Sequence, residues 1–382
     1  MRILFVSHAP KNPDGGASRV YHLLEDGLAS RDHAVKALHY EDLEITGRSK
    51  KLVDRLLLPT AASRRAAREL DGRYDVIMSS NGTLYPLFRK LRQRKDRPLL
   101  VNHLHGLVFF DHQAIVTETM RGHMTTSLLF DYVSGPLGRN WDYKGSQYAD
   151  LTIVQNGRDR DFLAERGIDP LVSIPLSVHP EILAASMTAP LAEGRDPLSL
   201  LWFGSWVERK GIYYLPRAFA QIVARFPEAR LTLGGTGVAA EVVKSHFEPG
   251  LWPRITCLPR ISLKEQLAEY ESHAIFLFPS LSEGFGLTLL EAMAMGLAAV
   301  TTHTGLGGDW LRDREHALLI APVNSTSLAE AVVTLIEDNE LRYRVARNGQ
   351  ELSRLFTSER LIDTYEAAFE KYRQERSSRP DT

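Results

Sequence analysis

The sequence predicts an α/β protein made of two doubly wound, Rossmann-like parallel sheets. Short apolar runs, typical of strands buried on both faces, alternate with helical patterns in both halves of the chain. A segment that carries Pro180, Pro190 and Pro197 separates the two series and is typical of a linker. The expected organisation is an N-terminal domain at 1–180, a linker at 181–197, a C-terminal domain at 198–356 and a last helix at 357–382.

Apolar runs and helical spacing give the expected elements. Strands are predicted in the first half at 3–6, 34–40, 75–79, 99–106, 149–154 and 172–175. They are predicted in the second half at 198–203, 229–233, 255–258, 274–278, 298–301 and 318–320. The principal helices are predicted at 19–29, 158–166, 213–226, 287–295, 327–337, 340–356 and 359–372. The glycine-rich stretch 305–308 is expected to be a flexible loop.

Composition excludes several classes of protein. The chain has 382 residues, 44% of them hydrophobic and 24% charged, as expected of a soluble globular protein with two domains. A net charge of −1 gives no support for nucleic-acid binding, and the single Cys257 excludes an internal disulfide or a thiolate zinc cluster. No run approaches the roughly 20 apolar residues of a membrane span. Residues 1–6 match a first strand better than a secretory leader, which predicts a cytoplasmic protein.

The stretch 279–291 carries the clearest chemical signal. It joins a predicted strand to a predicted helix, and Gly284 and Gly286 allow a tight turn that a ligand can approach closely. The N–H groups of such a turn suit a phosphate. Glu283, on the turn, would repel phosphate and suits the hydroxyls of a polyol, and Glu291 lies inside the helix. From the spacing alone, a turn that serves only packing remains an equal alternative.

The full string resembles the signature of retaining GT-B glycosyltransferases of family 4 (glycosyl transferases group 1). In that signature two glutamates flank seven residues that include Gly-Phe-Gly, and the matching residues here are Glu283, Gly284, Phe285, Gly286 and Glu291. The resemblance implies a GT-B fold, with two Rossmann-like domains facing across a cleft and a last helix that crosses back to the first domain. It also implies a nucleotide diphosphate sugar as donor, bound mainly by the C-terminal domain at 198–356, and an acceptor that enters from the side of the N-terminal domain at 1–180.

The resemblance also implies roles for these residues. Glu283 is expected to hold hydroxyls of the donor sugar and Glu291 those of the ribose. The N–H groups of Phe285, Gly286 and Leu287, with the helix dipole behind them, are expected to stabilise the leaving diphosphate.

Arg209 and Lys210 lie on a predicted strand-to-helix loop of the second half. Two fixed positive charges suit a diphosphate that leaves as a glycosidic bond breaks. An exposed basic turn is the alternative, and the resemblance favours a diphosphate site. No Asp-x-Asp metal motif stands in the segments predicted to border the cleft, and two cations can replace a metal. We therefore expect no metal and no cofactor beyond the nucleotide sugar itself.

Two further segments are expected to contact the donor. Gly15 and Gly16 precede the first helix; the pair is either an ordinary turn or a close approach to a ligand, and the resemblance places it near the diphosphate. Its spacing is not the dinucleotide Gly-x-Gly-x-x-Gly pattern, which disfavours an oxidoreductase. The resemblance also places the base near Arg260 and Ile261, where the Arg260 side chain could stack on it and the main chain could contact its edge.

His105 is the candidate at the reaction centre. It comes at the end of a predicted strand, directly before Gly106, whereas most single histidines are structural. The resemblance implies that this histidine faces the donor sugar and orients it. His103 is expected to point to the opposite face and is the weaker candidate.

A basic region spans residues 48–97, with 14 Lys or Arg against 5 Asp or Glu. These charges could be ordinary solvated helix faces, or they could bind an anionic acceptor or anionic lipid headgroups. Leu52, Leu56, Leu57 and Leu58 beside the charges leave open an amphipathic segment that docks on the inner face of the membrane.

The predicted activity is a metal-independent, retaining hexosyl transfer (EC 2.4) to a hydroxyl of a saccharide or a lipid-linked glycan, in cell-envelope glycan or glycolipid synthesis. Two alternatives remain from other classes. A nucleotide-sugar 2-epimerase has a similar two-domain fold, and a non-catalytic subunit could bind a nucleotide sugar without turning it over.

Overall fold

The computed structural model describes residues 1–12, 16–43, 53–70, 74–126, 135–189, 191 and 194–378. The chain divides into two compact units. Unit 1 comprises Met1–His112, Thr125–Leu176 and Ser358–Thr382, and unit 2 comprises Gln113–Met124 and Ser177–Thr357.

Unit 1 contains a six-stranded parallel sheet in the order β2-β1-β3-β4-β5-β6. Its strands are β1 (Arg2–Val6), β2 (Ala34–Leu38), β3 (Val76–Ser80), β4 (Leu99–His103), β5 (Leu151–Val154) and β6 (Leu171–Ser173). Its helices are α1 (Gly16–Ala29), α2 (Val53–Ala67), α3 (Tyr85–Leu91), α4 (Val108–Met120, which continues into unit 2), α5 (Gly135–Tyr148), α6 (Gly157–Ala164) and the last helix, α15 (Ser358–Ser378). The apolar run from Ile3 to Val6 is fully buried because helices cover both faces of a parallel sheet.

Unit 2 contains a second six-stranded parallel sheet in the order β12-β11-β10-β7-β8-β9. Its strands are β7 (Ser199–Phe203), β8 (Arg230–Gly234), β9 (Ile255–Leu258), β10 (Ile275–Phe278), β11 (Ala298–Thr302) and β12 (Leu318–Ile320). Its helices are α7 (Pro180–Ser186), α8 (Leu215–Arg225), α9 (Ala240–Lys244), α10 (Leu263–Ser272), α11 (Leu287–Ala294), α12 (Leu306–Asp309), α13 (Ser325–Glu337) and α14 (Asn339–Ser353). Buried side chains of the central strands and of α8 and α13, among them Trp202 and Phe219, form the core.

Both sheets change direction at a strand near the middle. In unit 2 the chain runs from β7 outward through β8 and β9, then returns to pair β10 with the other side of β7. The loops that follow β7 and β10 therefore meet at a topological switch point, where open α/β sheets bind ligands. In unit 1 the corresponding point lies between β1 and β3.

The described residues of the segment expected to be a linker, 181–189, 191 and 194–197, belong to unit 2. Pro180 occupies the first turn of α7, and the His179 side chain accepts a hydrogen bond from Glu181 N (3.3 Å) at the start of this helix. Arg195 is buried and donates to the carbonyl oxygens of three residues in unit 2. These residues are Tyr270 (2.8 Å), His273 (2.9 Å) and Met295 (2.8 Å).

The expectation of a flexible loop at 305–308 is wrong, because residues 306–309 form α12. Gly305 has a φ of +52°, and Leu306 N donates to Phe285 O (2.7 Å). A Cβ on Gly305 would lie 2.4 Å from Phe285 O, so glycine allows these two turns to pack directly against each other.

The last helix, α15, lies in unit 1 and is longer than its apolar pattern predicted. Ile362, Tyr365 and Phe369 are buried. At its outer face Arg31 pairs with Asp363 (2.5 Å) and Glu366 (2.9 Å).

Candidate active site

The loops after β7 and β10 bring three charged side chains together in unit 2. Arg209 and Lys210 lie in a single 3₁₀ turn, Glu208–Lys210, after β7, and Glu283 follows β10. Lys210 Nζ lies 2.6 Å from Glu283 Oε1, and Arg209 Nη1 lies 3.6 Å from Glu283 Oε2. Leu281 N donates to Arg209 O (2.7 Å), which joins the two loops through the main chain. The predicted site residues of these two loops are therefore neighbours at the switch point.

The Glu283 carboxylate is buried and charged. Its side chain is 6% exposed, against 12% for Lys210 and 34% for Arg209. Burial alone would raise the pKa of Glu283, but the charges of Lys210 and Arg209 outweigh it and hold this pKa below its usual value. The site thus presents an ionised hydrogen-bond acceptor between two cations.

Two glycines allow the loops to approach each other. Gly211, directly after Lys210, has a φ of +71°, and a Cβ there would lie 2.0 Å from Pro279 O. Gly286 has a φ of +101° and caps the start of α11. Side chains at these positions would strain the backbone or separate the loops.

The turn before α11 presents main-chain donors. Within the part of the chain that the structure describes, the N–H groups of Phe285, Gly286 and Leu287 make no hydrogen bond. They belong to the N-terminal end of a helix, where the dipole favours an anion.

Glu291 is fully buried in α11. Its Oε2 accepts hydrogen bonds from Gln266 Nε2 (3.0 Å) and from the Tyr270 hydroxyl (3.3 Å), both on α10. These contacts fix α10 against α11. The assignment of Glu291 to the ribose stays a prediction.

Arg260 and Ile261 follow β9. The Arg260 side chain is exposed, and Ile261 lies near the turn at Gly235, where an added Cβ would be 3.9 Å from Ile261 Cγ2. Gly235 N donates to Leu258 O (2.8 Å), which ties this turn to the end of β9. Their contact with a base stays a prediction.

In unit 1, His105 lies two residues beyond the end of β4. Its main-chain N–H donates to Asn81 Oδ1 (3.2 Å), and its Nδ1 accepts from Gln155 Nε2 (3.1 Å). With this assignment the His105 proton is on Nε2. That Nε2 is buried and has no hydrogen-bond partner among the described residues, so its N–H is available as a donor.

Other histidines surround His105, and all of them are neutral. Burial lowers the pKa of His8 to about 4 and that of His103 to about 3. Burial, and then the neighbouring His103 and His8, hold the pKa of His105 well below its usual value. His105 can therefore donate a hydrogen bond but does not carry a charge near neutral pH.

The expectation that His103 points away from His105 is wrong. Their ring centroids lie 4.3 Å apart, since residues two apart along an extended chain share a face. His103 Nε2 accepts from the Tyr365 hydroxyl of α15 (2.9 Å), so His103 supports the position of the His105 ring.

The glycines predicted near the diphosphate are only partly described. Gly15 lies outside the described residues. Gly16 is the first residue of α1, is exposed, and has open space where a Cβ would be. The backbone conformation and the free space at position 16 would therefore also allow a residue with a side chain.

Sequence reasoning missed a cavity in unit 1. It has a volume of about 490 Å³, and its lining includes Phe109, Arg139, Tyr143, Phe162 and Arg166. The aromatic and polar residues of 108–144 were the available signal, but helices α4, α5 and α6 had to be placed in space before the cavity could be recognised.

Two buried carboxyl groups lie at or near this cavity. Asp142 accepts from Val108 N (2.9 Å) and Asp159 from Leu107 N (3.2 Å). Burial raises the pKa of each to about 7. Asp159 and Asp161 also form an Asp-x-Asp string, but on α6, with Asp161 exposed and paired with Arg160 (2.8 Å).

The basic region is described only from residue 53 onward, without 71–73, so Leu52 lies outside the described residues, as does the side chain of Leu56. Several of its cations have acidic partners. Arg65 pairs with Glu69 (2.5 Å), and Arg97 forms a two-pronged ion pair with Asp150. Leu57 is 46% exposed. Binding of an anionic surface stays a prediction, and within the described residues we find no helix with the length and hydropathy needed to cross a membrane.

The fold and the loops at its switch points define a protein class, the GT-B fold. Sucrose-phosphate synthase from Thermosynechococcus elongatus is similar with a TM-score of 0.74 at 19% identity, covering 97% of this chain and 99% of that one. HepE from Anabaena, solved in complex with UDP, is similar with a TM-score of 0.68 at 17% identity, covering 97% and 100%. At these identities the likeness shows the fold.

A family model matches part of the second half of the chain. Residues 197–338 match the model of the family Glycosyl transferases group 1. A phosphatidyl-myo-inositol mannosyltransferase from Mycolicibacterium smegmatis is 29% identical over 188 residues, 48% of this chain and 47% of the relative. The chain thus spans about half the length of such curated relatives.

Proposed function

We propose that this protein is a retaining glycosyltransferase that moves a sugar from a nucleoside diphosphate sugar to a hydroxyl acceptor. The observation that carries the proposal is the buried, ionised Glu283 held between Lys210 and Arg209 at the switch point of unit 2. The match of residues 197–338 to the model of the family Glycosyl transferases group 1 supports the same reaction class. Retention of anomeric configuration is supported by the resemblance of the Glu283–Glu291 string to retaining enzymes.

The cations and the N–H groups of the α11 turn would receive the diphosphate. As the glycosidic bond breaks, negative charge develops on the leaving oxygen. Arg209 and Lys210 would stabilise that charge without a metal ion, and the unpaired N–H groups of Phe285, Gly286 and Leu287 would add to it. The GT-B neighbour HepE was solved with UDP, which makes a uridine nucleotide the first candidate donor to test.

Two groups would orient the donor sugar. Glu283 would accept hydrogen bonds from sugar hydroxyls, because its low pKa keeps it ionised. The buried Nε2–H of His105 would donate one. A neutral histidine in this role binds and positions the sugar and does not act as an acid.

We propose that the cavity of unit 1 takes part of the acceptor. Its aromatic side chains offer faces on which a sugar ring can pack, and Arg139 and Arg166 suit an anionic group. An anionic lipid-linked glycan or a charged saccharide fits both features. Similarity to a mannosyltransferase that is named for phosphatidyl-myo-inositol supports a role in envelope glycan or glycolipid synthesis.

Thermal stability of the chain in a panel of UDP, GDP, ADP and dTDP sugars, each with magnesium or EDTA, tests donor and metal together. We expect one nucleotide class to raise Tm equally with magnesium and with EDTA, because a bound ligand stabilises the folded state. That donor would then be incubated with candidate acceptors, and the anomeric configuration of the product determined by NMR.

The outcomes separate the alternatives. Isomerisation of the nucleotide sugar without an acceptor would indicate an epimerase. Stabilisation without any turnover would indicate a binding subunit. An inverted product would refute retention, and a magnesium requirement would refute metal independence.

A further inference from the structure

Three potential metal ligands meet at the junction of α1 and β2 in unit 1, outside the proposed transfer site. His22 and Glu25 lie three residues apart on α1 and so share a helix face. His39 directly follows β2. One ligand atom from each residue lies within 4.8 Å of those of the other two.

The two histidines lack the contacts that buried histidines normally have. His39 is 2% exposed, and its Nδ1 has no hydrogen-bond partner among the described residues. His22 Nε2 is likewise buried and unpartnered in the described chain. A buried polar atom without a partner destabilises the folded state, and two such atoms on stacked rings need an explanation.

The surroundings favour a cation. The rings of His22 and His39 stack with their centroids 5.0 Å apart at an interplanar angle of 20°. Glu41 and Asp42 add negative charge next to His39, while Lys11 adds one positive charge.

We propose that His22, Glu25 and His39 bind a divalent transition-metal ion of the zinc class, with water in the fourth position. Two imidazoles and one carboxylate suit zinc and its neighbours, whereas magnesium and calcium prefer oxygen ligands alone. Ligand atoms up to 4.8 Å apart need side-chain movements of only about 1 Å to share one ion, because metal–nitrogen and metal–oxygen bonds are about 2 Å.

The ion would clamp α1 to the end of β2. The same helix begins at Gly16, so the clamp would fix the helix whose first turn is predicted to face the donor. The role is stabilisation of unit 1, and it is separate from the metal-free charge stabilisation proposed for unit 2.

Titration of the full chain with Zn²⁺ by calorimetry and with Co²⁺ by visible absorption tests this site, after EDTA treatment and dialysis. We expect one equivalent to bind, with the strong visible bands of four-coordinate Co²⁺ and a rise in Tm on adding Zn²⁺. His22→Gln and Glu25→Gln should each weaken binding at least tenfold and abolish the rise in Tm. These two side chains are only half-buried, so the variants should fold.

Matched controls are Asp26→Asn, an exposed acid beside Glu25, and His246→Gln, a half-buried histidine of unit 2. Both should bind metal as the wild-type chain does. The proposal is overturned if neither ion binds, or if His22→Gln and Glu25→Gln bind like the wild-type chain. The second result would place the ion elsewhere, for example at the amino group of Met1 and His33 Nδ1, which lie 2.8 Å apart. Nucleotide binding in His22→Gln separates this outcome from failure of the proposed transfer site.

Discussion

The candidate residues of the two units are buried at equivalent places, beyond the carboxyl ends of parallel strands, yet they differ in charge. In unit 1, burial keeps His105 neutral, and its neighbours His8 and His103 reinforce this. In unit 2, Glu283 is buried too, but Lys210 and Arg209 keep it ionised. Burial therefore favours the neutral form of both groups, and opposite charges nearby reverse this preference for Glu283.

This contrast assigns different tasks to the two units. A charged cluster can stabilise charge that develops on a leaving diphosphate. A neutral donor can hold a hydroxyl without attracting the phosphate away from the cations. The predictions that follow test this division, starting with the largest effect.

Substitutions in the unit 2 cluster should have the largest effect on transfer. Lys210→Ala and Glu283→Gln should each lower kcat about 100-fold or more, because each removes a preorganised charge. Initial rates with the best donor and acceptor provide the measurement. Lys264→Ala and Glu330→Gln, at exposed positions of unit 2, should keep wild-type rates. Normal rates in Lys210→Ala and Glu283→Gln would exclude the cluster from the reaction.

Substitution of His105 should have a smaller effect that depends on hydrogen bonding and not on charge. His105→Ala should lower kcat/KM about 10- to 100-fold, and His105→Gln should recover part of the loss because its amide can donate. The kcat profile between pH 5.5 and 8 should be unchanged in His105→Gln. A titration near pH 6.5 that disappears in this variant would contradict a neutral His105.

The pH dependence of stability should have opposite signs for two buried groups of unit 1. His8 has a pKa of about 4 when folded, so the unfolded chain binds more protons between about pH 4 and 6.5, and stability falls with acidification. Asp159 has a pKa of about 7, so the folded chain binds more protons between about pH 4 and 7, and stability falls as pH rises.

Urea midpoints of His8→Gln and Asp159→Asn across pH 4 to 7.5 measure this difference. Relative to the wild-type chain, His8→Gln should gain about 3 kcal/mol as pH falls, and Asp159→Asn a similar amount as pH rises. If the stability of both variants, relative to the wild-type chain, changed with pH in the same direction, the opposite pKa shifts assigned to His8 and Asp159 would be refuted.

The smallest effect is expected for substitution of Arg260, which is predicted to contact the nucleotide base of the donor. Arg260 is exposed, so its stacking on a base is worth only about 0.5–1 kcal/mol. Arg260→Ala should weaken nucleotide affinity less than tenfold and leave kcat unchanged. If Arg260→Ala weakened the binding of inorganic pyrophosphate, which has no base, as much as that of the nucleotide, Arg260 would contact the phosphates instead.

The fold could be predicted because the sequence pattern within each short segment indicates the type of element that the segment forms. Runs such as Ile3–Val6 and the residues of β10 are apolar throughout, and only strands covered on both faces have that pattern. The pairing of Arg209 and Lys210 with Glu283 could also be anticipated, since strand–loop–helix units place such loops at one edge of a sheet.

Other features depend on contacts between distant segments. Arg195 donates to carbonyl groups at the ends of α10 and α11, which lie 75 and 100 residues further along the chain. Gln266 and Tyr270, the partners of Glu291, lie on another helix. The grouping of His22 with His39 requires α1 to pack on β2. The periodicity of the sequence does not show which distant segments come into contact, so these contacts could not be predicted.

The most direct test of the account is calorimetric titration of the chain with UDP, GDP, ADP and dTDP, in EDTA, compared with Lys210→Ala. The account predicts that at least one diphosphate binds the wild-type chain and that its affinity falls tenfold or more in Lys210→Ala, while Lys264→Ala is unaffected. Equal affinity in Lys210→Ala, or no binding of any diphosphate, would contradict a diphosphate site at Arg209, Lys210 and Glu283.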